Sequence, residues 1–312
     1  MAEPILTFDT LIEPIGSQMA ERYELISADD AKAQERLGDF RVALTNGGLG
    51  IEAAWIEKLP KLELIAVNGV GTDQIDLDLC AARRIHVATT LGVLTDDVAD
   101  MALGLTLAVL RDLGRGQDFV RSGEWAEGKT LPLGRSLKGK RIGIVGLGAI
   151  GRAIGERAQA FKMDIGFWNR SEKSVAGWTT FSTPVALAEW ADVLVVAVAA
   201  TGETQGLIDT SVLEALGRDG FVVNIARGSV IDEVALLDAL EARSIAGAGL
   251  DVFLNEPRID PRFAKLDNVF LVPHVGSATI ETRTAMAQLV KDNVDAYLAG
   301  QEPPTSITAK HF

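Results

Sequence analysis

Three residues that can bind carboxylates or transfer protons each follow a short apolar run in the second half of the chain. Arg227, Glu256 and His274 lie a few residues beyond runs of the kind that form buried strands. The carboxyl ends of parallel strands meet at one edge of a sheet, and open α/β sheets bind ligands at that edge. The sequence therefore predicts that these three side chains converge.

His274 is the best acid–base candidate among the three histidines of the chain. His86 lies inside a strand-like run, where a packed or edge position is the commoner role. His311 is next to last, and chain ends commonly fray. A carboxylate beside one ring nitrogen of His274 would orient the ring and favour its protonated form. Glu256 is the candidate for that carboxylate, and a solvated loop glutamate is the alternative.

Arg227 has the side chain best suited to hold a 2-keto acid. A guanidinium group binds a carboxylate through two parallel hydrogen bonds and can polarise a neighbouring carbonyl. Most arginines form surface ion pairs instead. Ala226 and Gly228 on either side, however, place this arginine at the end of a predicted strand.

A strand, a glycine turn and a helix are predicted over residues 141–161. An apolar run at 142–145 is typical of a buried strand, and apolar residues recur at helical spacing from 150 to 161. The glycines between them have the spacing of the dinucleotide fingerprint, and this context favours a nucleotide site over a glycine loop without a ligand. The residues predicted to contact the dinucleotide here are Gly146, Leu147, Gly148, Ala149, Ile150 and Gly151.

The charge after the next predicted strand indicates which dinucleotide binds. NAD sites hold the ribose hydroxyls with an acidic residue about 20 residues beyond the glycines. Asn169 takes that place here and is followed by Arg170, Ser171 and Lys173, where a cation would favour the 2′-phosphate of NADP. Three solvated surface residues are the alternative. We therefore expect NADP as the preferred cofactor, with NAD possible, and Asp251 as a candidate to hold the nicotinamide carboxamide.

Length and composition predict a globular protein with two domains. The chain has 312 residues, of which 47% are hydrophobic and 23% charged. No apolar run reaches membrane-spanning length, and the N-terminus lacks the layout of a secretion signal. The single cysteine, Cys80, cannot form an internal disulfide, so a reducing cytoplasm is expected. The net charge of −13 argues against nucleic acid and anionic membranes as partners.

Short apolar runs alternate with polar, helix-favouring segments in both halves of the chain, which predicts an α/β protein with two doubly wound parallel sheets. A long apolar helix is predicted from Asp96 to about Arg121, with Thr95 as its N-cap, and it must be buried on most faces. The glycine-rich segment 123–139 is predicted to make a subunit contact, with a mobile surface loop as the alternative. Strands are predicted at 5–8, 23–26, 42–44, 64–67, 85–87, 142–145, 163–168, 193–198, 221–225, 248–251 and 269–272.

These segments together resemble the D-isomer-specific 2-hydroxyacid dehydrogenases. Four separated motifs agree with that family in order and spacing, and the resemblance extends from about residue 45 to the C-terminal helix. Within the family, the chain resembles the glyoxylate/hydroxypyruvate and hydroxyphenylpyruvate reductases most. The motifs are GLGAIG, NIARGSVID, GLDVFLNEP and PHVGSAT, with VNGVGTDQIDL and GVLTDDVADMALGL upstream.

The resemblance implies a role for each residue of the site. Arg227 would bind the carboxylate and the carbonyl of the substrate, and His274, paired with Glu256, would donate the proton. Substrate contacts are also implied for Leu49 and, through their backbone N–H groups, for Val70 and Gly71. Further cofactor contacts are implied for Thr95, Val198, Ala199, Thr204, Ile225, Ala226, Arg227, Asp251, His274 and Gly276.

The resemblance also implies the domain layout and the assembly. A flavodoxin-like substrate-binding domain, residues 1–97 and 285–312, would contain a Rossmann nucleotide-binding domain, residues 98–284, as an insertion. Family members are usually homodimers joined through the nucleotide domain, so a homodimer is expected, with no metal ion.

The activity expected is the NADPH-preferring reduction of small 2-keto acids, glyoxylate and hydroxypyruvate first. Hydroxyphenylpyruvate reduction is the alternative among enzymes, since pocket width cannot be read from a sequence. A nicotinamide-sensing, corepressor-like binding protein is the alternative from another class. Glu256 argues against formate, because formate dehydrogenases of the superfamily have glutamine there. The segment Ala199–Thr204 departs from the family by lacking two prolines.

Overall fold

The structure is a computed structural model that describes residues 2–308, so His311 lies outside the described residues. The chain divides into two compact units, one formed by the residues up to 94 together with those from 277 onward, the other by residues 95–276. No helix in residues 2–308 combines the length and apolar character that crossing a membrane requires.

Strands and helices alternate along both units. The strands are β1 (Pro4–Thr7), β2 (Glu24–Ser27), β3 (Val42–Asn46), β4 (Leu64–Asn68), β5 (His86–Ala88), β6 (Arg141–Val145), β7 (Asp164–Trp168), β8 (Thr179–Thr180), β9 (Val193–Val196), β10 (Phe221–Asn224), β11 (Gly247–Leu250) and β12 (Val269–Leu271). The helices are α1 (Ile15–Arg22), α2 (Ala31–Glu35), α3 (Ala53–Lys58), α4 (Leu77–Ala82), α5 (Thr95–Arg111), α6 (Leu113–Arg121), α7 (Ala149–Ala160), α8 (Pro184–Trp190), α9 (Thr210–Leu216), α10 (Glu233–Glu241) and α11 (Ile280–Leu298).

The first unit contains a five-stranded parallel sheet in the order β2-β1-β3-β4-β5, which is the flavodoxin-like order. Helices cover both faces of this sheet. Successive residues of a strand point to opposite faces and therefore belong to different hydrophobic cores. Ile5 packs with side chains of α1 and α11, whereas its neighbour Leu6 packs with those of α2, α3 and α4. Burial on both faces is the reason these strands appear as continuous apolar runs in the sequence.

The second unit contains a seven-stranded sheet in the order β12-β11-β10-β9-β6-β7-β8, and all of its pairs are parallel. Its winding reverses between β6 and β9, and such a switch point is where doubly wound sheets bind nucleotides. The predicted α/β class with a flavodoxin-like and a Rossmann sheet is thus confirmed. The two-residue edge strand β8 was not predicted, because both of its residues are exposed and it is too short to show a period.

The prediction of one helix from Asp96 to about Arg121 is wrong, because the helix breaks at Asp112. That residue has a φ of 51°, a left-handed conformation that short polar side chains tolerate better than most. The buried residues all belong to α5, and α6 has none. Within its own unit, α5 packs against α7, β10, β11 and β12, which accounts for its apolar faces.

The two units divide at the ends of helices. α5 begins at Thr95 in the second unit, and the whole of α11, whose first turn is capped by Thr279, belongs to the first. The limits expected from the sequence, 98 and 284, fall inside these two helices. A helix packs as one rigid element, and each helix lies whole within one compact unit. The domain limits expected from the family resemblance stay a prediction.

Candidate active site

His274 and Glu256 form a hydrogen-bonded pair in the second unit. Nδ1 of His274 lies 2.7 Å from Oε2 of Glu256, and Oε1 accepts a hydrogen bond from the N–H of Phe253 at 2.8 Å. Burial raises the pKa of Glu256. The hydrogen bonds and the charges of His274 and Arg227 lower it by more than burial raises it, so the pKa lies below its ordinary value. An ionised carboxylate can only accept, which assigns the ring proton to Nδ1 and leaves Nε2 for proton transfer.

Asp251 holds the loop that carries His274. Its carbonyl accepts from the N–H of His274 at 2.8 Å, and its carboxylate accepts from the N–H groups of Val275 at 2.6 Å and Gly276 at 2.9 Å. These bonds maintain His274 at a φ of 53°, a left-handed conformation that non-glycine residues rarely adopt. Burial raises the pKa of Asp251, and the two N–H donors oppose that shift. Its predicted contact with a carboxamide stays a prediction.

Arg227 is positioned by a buried asparagine at the end of β10. Nδ2 of Asn224 donates to the carbonyl of Arg227 at 2.9 Å, and its Oδ1 accepts from the N–H of Ala226 at 3.0 Å. The Asn224 side chain is only 1% exposed, so its hydrogen-bonding groups are committed to this turn. Sequence reasoning missed Asn224. The signal that could have revealed it is an amide in an otherwise apolar strand, three residues before the arginine.

Gly228 brings the Arg227 loop against the Glu256 loop. A Cβ atom at Gly228 would lie 2.0 Å from the carbonyl carbon of Phe253 and 2.2 Å from the nitrogen of Leu254, so only glycine fits. The two loops therefore pack backbone against backbone. Together with the His274–Glu256 hydrogen bond, this contact unites the three predicted catalytic residues in one cluster of loops.

The glycine turn between β6 and α7 has the shape that a pyrophosphate needs. Gly146 has a φ of 100°, and a Cβ there would lie 2.6 Å from Cγ1 of Val198. A Cβ on Gly151 would lie 2.0 Å from the carbonyl oxygen of Gly146, so the third glycine lets helix and strand pack closely. Gly148, the N-cap of α7, faces open space and has no side chain to cap the helix. The turn thus fits an anionic dinucleotide at the helix N-terminus.

Asn169 and Lys173 both bind the backbone of the glycine turn. Oδ1 of Asn169 accepts from the N–H of Leu147 at 2.9 Å, and its Nδ2 donates to the carbonyl and the hydroxyl of Ser171 at 2.9 Å each. Nζ of Lys173 donates to the carbonyl of Leu147 at 2.6 Å. These side chains therefore connect the segment after β7 to the glycine turn.

Arg170 is 73% exposed and forms an ion pair with Glu203, which lies in the loop after β9. That loop lacks the family's two prolines and is closed instead by Thr204. The Thr204 hydroxyl accepts from the N–H of Thr201 and donates to the carbonyl of Ala199, both at 2.8 Å. Sequence reasoning did not identify Glu203 as a partner of Arg170, because the two are 33 positions apart.

The remaining predicted contacts lie at the ends of elements. In the second unit, Thr95 begins α5, Val198 follows β9, and Ile225 and Ala226 follow β10. In the first unit, Val70 and Gly71 follow β4, and Leu49, 59% exposed, follows β3. No group of three or more His, Cys, Asp or Glu side chains among residues 2–308 is arranged to hold a metal ion.

Comparison with known proteins identifies the family. Residues 103–276 match the model of the D-isomer specific 2-hydroxyacid dehydrogenase NAD binding domain. The 2-ketogluconate reductase of Gluconobacter oxydans (strain 621H) is 46% identical to this chain over 294 residues, which is 94% of each chain. The chain belongs to the D-isomer-specific 2-hydroxyacid dehydrogenases.

Other members of the family are similar along most of their length. The hydroxyphenylpyruvate reductase of Plectranthus scutellarioides is 44% identical over 262 residues, 84% of this chain and 83% of the relative. The NADPH-dependent glyoxylate/hydroxypyruvate reductase of Sinorhizobium meliloti, solved with NADP and malonate, superposes with a TM-score of 0.93 at 37% identity, over 98% of this chain and 97% of that one. The resemblance inferred from the motifs is confirmed. This 2-hydroxyacid dehydrogenase is an oxidoreductase with an NAD-binding domain, and its relatives differ in their substrates.

The two glycines of the turn lead to a paired prediction. Gly151→Ala should lower the free energy of unfolding by about 1–3 kcal/mol, because its methyl group has no room beside the Gly146 carbonyl. Gly148→Ala should unfold at the same temperature as the parent protein, because a methyl group there touches no other atom of the protein. It should bind NADPH less tightly, because the methyl group would occupy space that the cofactor is expected to fill. Thermal unfolding and fluorescence titration measure the two effects. Equal loss of stability in both variants would contradict this account of the turn.

Proposed function

We propose that this 2-hydroxyacid dehydrogenase reduces 2-keto acids with a preference for NADPH, glyoxylate and hydroxypyruvate being the first substrates to test. The observation that carries the proposal is the His274–Glu256 pair, held within one cluster of loops with Arg227. One relative adds 2-ketogluconate to the substrates worth testing. Another supports testing hydroxyphenylpyruvate, the alternative expected from the sequence, as 4-hydroxyphenylpyruvate.

Each residue of the cluster has one task in the proposed mechanism. Arg227 binds the substrate carboxylate and polarises the keto oxygen, and the backbone N–H groups of Val70 and Gly71 bind the carboxylate, as the family resemblance implies. The reduced nicotinamide, when bound, supplies a hydride to the keto carbon. His274 donates the proton on Nε2 to the keto oxygen, while the Glu256 carboxylate stabilises the imidazolium. The His274 side chain is 38% exposed, so the ring regains its proton from water.

The proposed cofactor contacts follow the geometry of the turn. Gly148 would face the pyrophosphate at the start of α7, in the tight turn that Gly146 and Gly151 allow, and Arg170 would pair with the 2′-phosphate. For Arg170 to do so, it must leave Glu203 or share its charge with that residue. NADPH preference should therefore depend on both members of the ion pair.

The catalytic proposal is tested by NADPH oxidation with the four acids named above. The parent protein should oxidise NADPH, and His274→Ala should lower kcat by about 10²–10⁴-fold while binding NADPH nearly as well, because only the proton donor is lost. His86→Gln is the matched control and should behave like the parent. If His274→Ala kept full turnover, the residue would not be the proton donor. NADPH binding without consumption of any acid would favour a nicotinamide-sensing binding protein.

The cofactor proposal is tested by dissociation constants for NADPH and NADH. Arg170→Ala should weaken NADPH by about tenfold or more and NADH by less than about twofold, since only NADPH has a 2′-phosphate. Glu203→Gln should strengthen NADPH binding, because it frees Arg170 and removes a like charge. Arg243→Ala removes a similar exposed ion pair, with Asp267, and serves as the control. Equal losses for both cofactors in Arg170→Ala would reject the assignment.

We also propose a homodimer joined through the nucleotide-binding domain. The segment 123–139 leaves two large apolar side chains in water, Trp125 at 68% and Leu133 at 99% exposed. Leu133→Asp should shift the protein from dimer to monomer in sedimentation velocity, because the charge would be buried in the contact. Ile280→Asp changes an equally apolar exposed residue of the first unit and should leave the dimer intact. A parent protein that sediments as a monomer would refute the dimer.

A further inference from the structure

A pocket of about 360 Å³ lies at the carboxyl ends of three neighbouring strands of the first unit. Asn46 and Asn68 are the last residues of β3 and β4 and face each other in register, while the segment 9–12 follows β1. The volume is within the range of small-molecule sites. The lining residues are Asp9, Thr10, Leu11, Ile12, Asn46, Asn68 and Arg283.

The pocket contains a buried hydrogen-bond acceptor without a partner. Asn68 is 9% exposed, and its Oδ1 has no hydrogen-bond partner within the described part of the chain. Buried side-chain oxygens in folded proteins are nearly always hydrogen-bonded, because an unpaired one has lost its contact with water and gained nothing. An unpaired acceptor on the wall of a pocket is therefore a feature that a ligand's donor would satisfy.

The pocket adjoins the segments proposed to contact the substrate. Asn68 lies two positions before Val70, and Oδ1 of Asn46 accepts from the N–H of Leu49 at 2.8 Å. The loops that follow the two asparagines also touch, since a Cβ on Gly69 would lie 3.1 Å from the nitrogen of Gly47. A 2-keto acid whose carboxylate binds at Val70 and Gly71 would thus have Asn68 and Asn46 within reach of its carbon tail.

The polar groups of the lining suit hydroxyl groups. Asp9 and Oδ1 of Asn68 are acceptors, whereas Arg283 is a donor, and each hydroxyl group of a ligand can both donate and accept. The charges of Asp9 and Arg283 are opposite, so the pocket favours a neutral polar group over a second anion. An aromatic ring would leave these polar groups unpaired. At about 360 Å³, the pocket has more room than a single hydroxymethyl group fills.

We propose that this pocket binds the polyhydroxylated tail of a 2-keto sugar acid, with Oδ1 of Asn68 accepting a hydrogen bond from one of its hydroxyl groups. The proposal rests on the proposed reductase function and narrows its substrate class. It ranks acids with hydroxylated tails above those with aromatic tails, and it makes Asn68 and Arg283 determinants of that preference.

The test compares acids that differ only in their tails. Glyoxylate has none, 2-ketogluconate has four hydroxylated carbons, and 4-hydroxyphenylpyruvate has an aromatic ring. In the parent protein, kcat/KM for 2-ketogluconate should exceed that for 4-hydroxyphenylpyruvate by about tenfold or more. Asn68→Leu, similar in size but without the amide, should lower the ratio of kcat/KM for 2-ketogluconate to that for glyoxylate by about tenfold or more.

Two further variants keep the test decisive if Asn68→Leu fails to fold. Arg283→Gln removes the charged donor, and Ile12→Trp fills the pocket from an exposed loop position. Both should lower the same ratio, whereas Arg243→Gln, in the second unit, should leave it unchanged. Thermal unfolding establishes which variants are folded.

The possible failures can be told apart. If the parent protein oxidises NADPH with glyoxylate but no better with 2-ketogluconate than with 4-hydroxyphenylpyruvate, the pocket proposal falls and the reductase proposal stands. The pocket proposal also falls if the folded variants lose activity on all acids by the same factor. If no acid is reduced, both proposals fall.

Discussion

The parallel pairing of β10, β11 and β12 determines where the three proposed catalytic residues lie. Asn224, Leu250 and Leu271 end these strands side by side in register. The loops that follow therefore leave the sheet at one edge, next to one another, although 47 positions separate Arg227 from His274 in the chain. A shift of one residue in either pairing would turn the following side chain to the opposite face of the sheet. The packed cores on the two faces oppose that shift, because it would exchange side chains of different size between them.

Within that frame, backbone contacts hold the loops in place. Gly228 places the Arg227 loop on the backbone at 253–254, and Asp251 receives three backbone N–H groups of the His274 loop through its carbonyl and carboxylate. These bonds hold His274 in its left-handed conformation. The proposed catalytic side chains are thus oriented by buried polar groups at the ends of strands, which is the arrangement that keeps a site in its working geometry.

Charged and amide side chains also follow the ends of strands, in the second unit and in the first. The protein has a net charge of −13, yet Arg170, Lys173 and Arg227 lie near the edge where anionic groups are expected. All three cations are engaged within the protein: Lys173 with the Leu147 carbonyl, Arg170 with Glu203 and Arg227 with the Ala226 carbonyl. In the first unit, Asn46 and Asn68 likewise end adjacent parallel strands and line a pocket. In both sheets, these asparagines and the loops with candidate site residues therefore lie at the carboxyl ends of the strands.

The sequence by itself determined the class of fold, the family and the glycine turn, and it predicted the Glu256–His274 contact that the structure contains. These features are local, because apolar periodicity, glycine spacing and motif order need no knowledge of distant partners. Only the tertiary structure decided that a helix breaks at Asp112, that Asn224 positions Arg227, that Arg170 pairs with Glu203 and that the Asn68 oxygen is buried without a partner. The helix break depends on one backbone torsion. Most of the other features depend on which loops the strand order brings together. A linear pattern records neither.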